Sequence, residues 1–371
     1  MIIYMVYIIG KTFPNQAQIQ GRIAHKMVIP DTKSPYDSRN FAKLSDAFSG
    51  VEMFVMDDIV ENLQKYQEMV KLARDNFPIV NFETFYAVNA LGGKKTYGLI
   101  DERQEVRDRS RALFEAAVRL NDGKGNVNTH LVGKHLVLNS DRTNKNFHSP
   151  EEQFQETGEY LSPFKKDISL ENVITFNSEP GGDEGPVLYN VGSEMADFVK
   201  MYNRFGIPMT LDTAHLAINL EHYRRFIVKR DLMAKGKTHC LILTLDQMDL
   251  GNAVKNDITN VWASEVSKLP IGAIKNVHFI NGKVDNNDEY SDGYIEFSAE
   301  NGRLLNLGKA FNDLTSRGDV TQMVAEAVDG PYATPEAPAD YNKVPYMVKL
   351  AEEINLRLTN RFEDEVKHAS S

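Results

Sequence analysis

Residues 50–86 read GVEMFVMDDIVENLQKYQEMVKLARDNFPIVNFETFY. The stretch opens on a short apolar run, 50–58, of strand length. From 59 to 76 the apolar residues recur at three- and four-residue steps, the spacing of one face of a helix. Pro78 marks the break, and 77–86 is a second strand. Strand, helix and strand in succession are the unit of a parallel sheet with right-handed crossovers.

The same alternation continues along the chain. Helical spacing returns at 101–122, and KHLVLNSD (134–141) reads as the next strand. A helix over 149–161 opens with Ser149, Pro150 and Glu152, an N-cap signature. ENVITFNSEP (171–180) is a strand, 192–206 a helix, IPMTLDTAH (207–215) a strand and 220–236 a helix. IKNVHFING (274–282) and TQMVAEAVDG (321–330) are two further strands, and 341–362 closes the chain as a helix. Seven strands follow residue 50, so an eighth is expected in IIYMVYII (2–9) or RIAHKMVIP (22–30). Eight strand–helix units make a (β/α)8 TIM barrel. The competing doubly wound sheet would carry a Gly-rich loop after its first strand, and none is present. The reading is a single barrel domain, 1–371, in which 237–270 is longer than a connection requires. That segment is expected to be an insertion between strands six and seven, carrying extra helix beside the barrel mouth.

Bulk properties narrow the partners. The formal net charge of -10 argues against a broad basic surface, so nucleic acid is not the expected partner. The single cysteine, Cys240, excludes an internal disulfide and a Cys-rich zinc site, and it fits a reducing compartment. A cytoplasmic location is the expectation. The apolar N-terminal segment is too short to cross a bilayer and lacks the basic start of a signal peptide. No later run is long enough to span, so no membrane partner is expected.

Chemistry in such a barrel sits at the C-terminal ends of the strands. The strand ends expected here carry Glu83, Asn139, Glu179, Asp212 with His215, His278, and Glu326. Taken singly, each is an ordinary loop cap or structural residue. Glu326 is the most telling, because it interrupts MVAEAV, where an unpaired buried carboxylate is costly; its other reading is an exposed position on a helix. Together, carboxylates and imidazoles aimed at one point repel unless a cation lies between them.

Several of these segments resemble the xylose isomerase-like TIM barrels, the group that includes endonuclease IV and the sugar epimerases. ITFNSEPGGDEG (174–185) is similar to the fifth-strand Glu motif, and IPMTLDTAHLAI (207–218) to the sixth-strand Asp-Thr-x-His motif. IKNVHFINGK (274–283) is similar to the seventh-strand His motif, and ETFYAVNALG (83–92) resembles a third-strand segment of endonuclease IV, with Glu83 in the place of its His. Resemblance to endonuclease IV implies three zinc ions and more imidazoles. Glu83, Asn139 and Tyr294 stand where three of those imidazoles are expected, although Asp292 is kept.

Resemblance to the epimerases implies one divalent ion, held by Glu179, Asp212, His278 and Glu326 from strands five to eight. Such a donor set suits Mn²⁺ first, with Mg²⁺, Co²⁺ or Zn²⁺ as alternatives. The implied activity is sugar or sugar-phosphate isomerisation or epimerisation, by proton transfer through a metal-stabilised enediolate. Glu179 and Glu326 would move the proton. His215, Glu83, Tyr86, Asn139 and Lys283 would contact a small carbohydrate substrate. Two alternatives stay open: an endonuclease IV-like apurinic/apyrimidinic endonuclease with a reduced metal site, and a barrel that has lost its chemistry. Barrels of this group pair through helices on one side, so a homo-oligomer is a further expectation.

Overall fold

The computed structural model describes residues 6–7, 23–28, 50–55, 57–84, 87–91, 94–96, 98–100, 104–130, 150–174, 192, 194–233, 245–254, 257–284, 290–294, 305–320 and 322–325. Eight parallel strands form its centre: β2 (Ile23–Val28), β3 (Gly50–Val55), β4 (Ile79–Thr84), β7 (Val127–His130), β8 (Ile168–Glu171), β9 (Met209–Asp212), β10 (Ile274–Phe279) and β13 (Met323–Ala325). Each pairs with the next in parallel, and β13 pairs back onto β2, so the ring closes. This is the (β/α)8 barrel. A short β1 (Val6–Tyr7) lies antiparallel on β2. The two N-terminal candidates are thereby resolved: RIAHKMVIP supplies the barrel strand, and IIYMVYII supplies β1.

Helices cross between successive strands. They are α1 (Leu63–Asn76), α2 (Gln104–Asn121), α3 (Pro150–Leu161), α4 (Met195–Phe205), α5 (Thr213–Met233) and α8 (Leu307–Ser316). Two further helices, α6 (Leu245–Ala253) and α7 (Ile258–Ser267), lie in the segment read as an insertion. The turn of Gly251 in α6 comes so close to α5 that a Cβ there would stand 2.6 Å from the Tyr223 carbonyl oxygen. Two antiparallel pairs, β5 (Ala87–Leu91) with β6 (Lys94–Thr96) and β11 (Asn281–Val284) with β12 (Tyr290–Tyr294), follow the C-terminal ends of β4 and β10.

The sequence signals at element ends act as physics requires. Pro150 is the first residue of α3, where its missing N–H costs nothing. Helix α4 stops at Gly206, which takes the left-handed conformation (φ 70°) that a side chain would strain. Ile207 and Pro208 then lead directly into β9.

Alternation along the strands divides two environments. Val51, Met53, Val80, Phe82, Val127, Leu170, Leu211, Val277 and Phe279 are buried in the layer between the strands and the helices. The residues that alternate with them, Asn81, Glu83, Asn128, His130, Ser169, Glu171, Thr210, Asp212, Asn276 and His278, point into the barrel, and they are polar. Asn81 donates to Gln322 on the far side of the ring (2.7 Å), Asn126 to Ser169 (2.6 Å), and Ser169 bonds Thr210 (2.6 Å). A TIM-barrel interior is ordinarily filled by branched apolar side chains. Here a hydrogen-bonded layer lies beneath the strand ends.

Two strand assignments made from sequence are corrected. The fourth barrel strand is Val127–His130, which pairs with both β4 and β8, rather than 134–141. The fifth is Ile168–Glu171, one strand length before the 171–180 segment. The strand-end positions given to Asn139 and Glu179 therefore belong to His130 and Glu171.

Candidate metal centre

One step above the polar layer, the same strands carry Glu52, Glu83, His130, Glu171, Asp212 and His278. The pattern is regular: Asn81-x-Glu83, Asn128-x-His130, Ser169-x-Glu171, Thr210-x-Asp212 and Asn276-x-His278. Period two puts both polar residues of each strand on the inner face. Register then sets neighbours side by side, His130 opposite Glu171 and Asp212 opposite His278.

Glu171 is the hub. Its Oε2 lies 2.9 Å from His130 Nε2 and 3.2 Å from His278 Nδ1, and Asn128 donates to the same oxygen. Its Oε1 makes no hydrogen bond. It stands 3.7 Å from His215 Nδ1, which is equally 3.7 Å from Asp212 Oδ2. On the other flank His130 Nε2 is 3.4 Å from Glu83 Oε1. His278 Nε2 reaches Glu52 Oε1 at 2.8 Å, across the barrel. Burial pushes the Glu171 carboxyl up, but the His130 and His278 imidazoles outweigh it and hold the group well below the ordinary carboxylate range.

The end of β8 is tied to β9 through Asn172. Its side chain accepts from the Asp212 N–H (2.6 Å) and donates to the Asp212 carbonyl (2.9 Å). Asp212 Oδ1 accepts from the His215 N–H (2.7 Å), closing the first turn of α5. His215 Nδ1 lies 2.8 Å from the Asn172 carbonyl oxygen. A carbonyl only accepts, so the proton sits on Nδ1 and the lone pair on Nε2.

Four carboxylates, those of Glu52, Glu83, Glu171 and Asp212, are thus almost wholly withdrawn from water within a few ångströms of three imidazoles. Such charge is stable only when balanced. Among the described residues three overlapping groups bring donor atoms close enough to hold a divalent ion: Glu52, Glu83 and His278; Glu83, His130 and Glu171; Glu171, Asp212 and His215. The mixed oxygen and nitrogen donors suit Mn²⁺, Co²⁺ or Zn²⁺. The residues present fit a metal.

Of the residues singled out from sequence, Glu83, Asp212, His215 and His278 meet in this cluster. Lys283 lies on β11, and Asp292 and Tyr294 on β12 opposite it; their side chains are not described. Glu179, Glu326, Tyr86 and Asn139 lie outside the described residues. Glu52, His130 and Glu171 were missed. The count of three absent imidazoles is also corrected, since the fourth strand ends in His130. The repeated polar-x-ligand pattern was the signal for all but Glu52, where Gly50 takes the lower position.

No protein-family model matches the sequence, and no curated protein matches it. Solved structures of similar fold include endonuclease IV from Thermus thermophilus, at 12% identity over 87% of this chain and 97% of that one, with a TM-score of 0.44. D-Psicose 3-epimerase from Clostridium cellulolyticum, solved with D-tagatose, shares 11% identity over 87% and 93% of the two chains, with a TM-score of 0.44. A D-psicose 3-epimerase solved with D-fructose shares 13% identity over 85% and 91%, with a TM-score of 0.41. Both kinds of protein belong to the group that the sequence motifs resemble. At this level the likeness is one of fold. Among the described residues no helix is long and apolar enough to cross a membrane.

Proposed function

We propose that the protein is a divalent-metal-dependent enzyme that isomerises or epimerises a small sugar or sugar phosphate. The observation that carries this is the convergence of Glu171, Asp212 and His278 from three successive strands on one buried point. This is the Glu–Asp–His order expected for strands five to seven, with Glu171 in place of Glu179. Glu326, immediately after β13, would complete the set from strand eight. A divalent ion bound there would act as a Lewis acid on adjacent carbonyl and hydroxyl oxygens. Glu171 offers the chain's own proton acceptor: one oxygen is held by Asn128 and His130, while Oε1 makes no hydrogen bond. His130, against Oε2, keeps that carboxyl ionised and aimed. Asn172 fixes the spacing between Glu171 and Asp212.

A second reading is favoured by His130. With Glu83 it forms a further donor group that shares Glu171. One divalent ion balances only two of the four buried carboxylates, whereas two ions balance all four. Two ions sharing a carboxylate are suited to hydrolysis of a phosphate ester, the chemistry of the endonuclease alternative.

Metal analysis of the purified chain decides between the readings. One equivalent of Mn²⁺ or Zn²⁺, with exchange of the substrate C–H proton for deuterium in a panel of ketoses and ketose phosphates, supports the isomerase. Two or more equivalents, with cleavage of an abasic duplex at low salt, supports the hydrolase. A chain that binds no divalent ion after dialysis against either metal is a barrel without this chemistry, and both readings fail.

A further inference from the structure

We infer that Glu52, from the opposite wall of the barrel, is the positioning residue that selects which nitrogen of His278 meets the metal. The inference rests on the reading of the cluster as a metal site and goes beyond it, because it makes Glu52 the partner of a ligand rather than a ligand, although Glu52, Glu83 and His278 also lie close enough together to hold an ion.

The side chains of Glu52 and His278 are both fully buried. Glu52 Oε1 lies 2.8 Å from His278 Nε2, and its Oε2 accepts from Asn276 Nδ2 at 3.2 Å. Asn276 stands two residues before His278 on β10, so one carboxylate holds two successive inner-face side chains of that strand. An ionised carboxylate only accepts, and the proton of the imidazole is therefore held on Nε2. In the neutral ring that a metal ion requires, the lone pair is left on Nδ1. That nitrogen faces the ligand side, 3.2 Å from Glu171 Oε2 and 4.0 Å from Asp212 Oδ2.

Reversal of the tautomer would turn the lone pair onto Glu52 and a proton toward the ion. Glu52 thus does three things: it orients the ring, forbids the wrong tautomer, and raises the basicity of Nδ1 by drawing on the Nε2 proton. Loss of such a carboxylate behind a ligating histidine typically weakens metal binding ten- to a hundredfold.

Histidine-selective ¹⁵N NMR reads the tautomer directly, with the His278 resonances assigned by their loss in His278→Gln. In the Zn²⁺-loaded protein the expected pattern is a protonated Nε2 and a metal-shifted Nδ1. Zinc on Nε2 would overturn the inference. In the metal-free protein Nε2 must still carry its proton, so Glu52 is tested even if no ion binds. Titration with Zn²⁺ gives the second readout: Glu52→Ala should raise Kd by ten- to a hundredfold, and an unchanged Kd counts against the role. Glu52→Gln keeps an acceptor for Nε2, and its amide can donate to Asn276 Oδ1, which makes no hydrogen bond at present. That variant should retain the Nε2–H tautomer and recover part of the affinity; a ring that flips in it removes the case for Glu52, including where Glu52→Ala does not fold. If wild-type protein binds no Zn²⁺ but keeps Nε2 protonated, the metal reading falls and the Glu52 contact stands.

Discussion

Replacement of Glu171 tests the centre most sharply, because two consequences of opposite kind follow from one side chain. Glu171→Ala removes the acceptor that faces Asn128, His130 and His278. Breaking a buried, charge-assisted set of this sort costs about 3–5 kcal/mol. Unfolding entropy of about 2.1 cal/mol/K per residue, over a chain of this length, gives close to 0.8 kcal/mol/K, so the melting temperature should fall by about 4–6 °C. Glu171→Gln behaves differently. One amide oxygen can still accept at the Oε2 position, and the metal-free fold should lose less. The amide nevertheless lacks the charge that a divalent ion needs. At a hundred times its Kd, Mn²⁺ stabilises the wild type by about 2.7 kcal/mol, or roughly 3.5 °C on the same scale. In Glu171→Gln that increment should vanish. Thermal unfolding with and without Mn²⁺, at one protein concentration, measures both effects. An undiminished Mn²⁺ shift in Glu171→Gln would refute the assignment of Glu171 as the shared ligand, however much Glu171→Ala destabilises.

Three further outcomes are expected. His130→Gln should lower metal stoichiometry by one equivalent if two ions are held, and leave it unchanged if one is; inductively coupled plasma analysis counts them, and a loss of all metal would place His130 at the first ion instead. Glu194 is pushed up to about 7 by its burial and by the charge of Asp197. Its folded value lies above the unfolded one, so the native state holds the extra proton, and stability falls as pH rises from 4.5 towards 7. Glu194→Gln should therefore gain up to about 3 kcal/mol at pH 8 and nothing at pH 4, read by urea unfolding; a gain equal at both pH values would contradict it. A Cβ at Gly125 would stand 2.1 Å from the Val80 carbonyl oxygen, so Gly125→Ala must shift the turn that leads into β7 and its His130. A cost of about 1–3 kcal/mol, with weakened metal binding, is expected from calorimetry and titration.

The strand–helix alternation was legible because outer faces of strands and inner faces of helices are apolar at fixed periods. The period of 59–76 and of 101–122 needed no tertiary help, and α1 and α2 follow it. Strand ends in β4, β9 and β10 were legible for the same reason: NFE, TLD and NVH each frame an apolar residue between two inward ones. Strands β7 and β8 were not, and their sequences show why. VNTH has one apolar residue in four, and ISLE is two residues shorter than β4. Both are held by pairing on two sides rather than by propensity, while the nearby KHLVLN and VITF runs carry the stronger apolar signal.

The hydrogen-bonded interior accounts for the misreading and for the geometry of the candidate site together. An apolar barrel would have written continuous hydrophobic strands, easy to find and chemically inert. Asn81, Asn128, Ser169, Thr210 and Asn276 instead give five of the strands a polar floor, each with a ligand-type side chain two residues above it. The floor ties the strands that aim Glu83, His130, Glu171, Asp212 and His278, because it fixes their relative height by bonds rather than by packing. A position several residues beyond the end of β8, such as Glu179, falls outside that two-residue spacing. The spacing is therefore the stricter guide to a metal ligand in this barrel than hydrophobicity or motif likeness. It ranks Glu171 above Glu179. Gln322 bonds Asn81 in the same floor, one residue before β13. By the same rule Val324, paired with His278, takes the height of the ligands on β13.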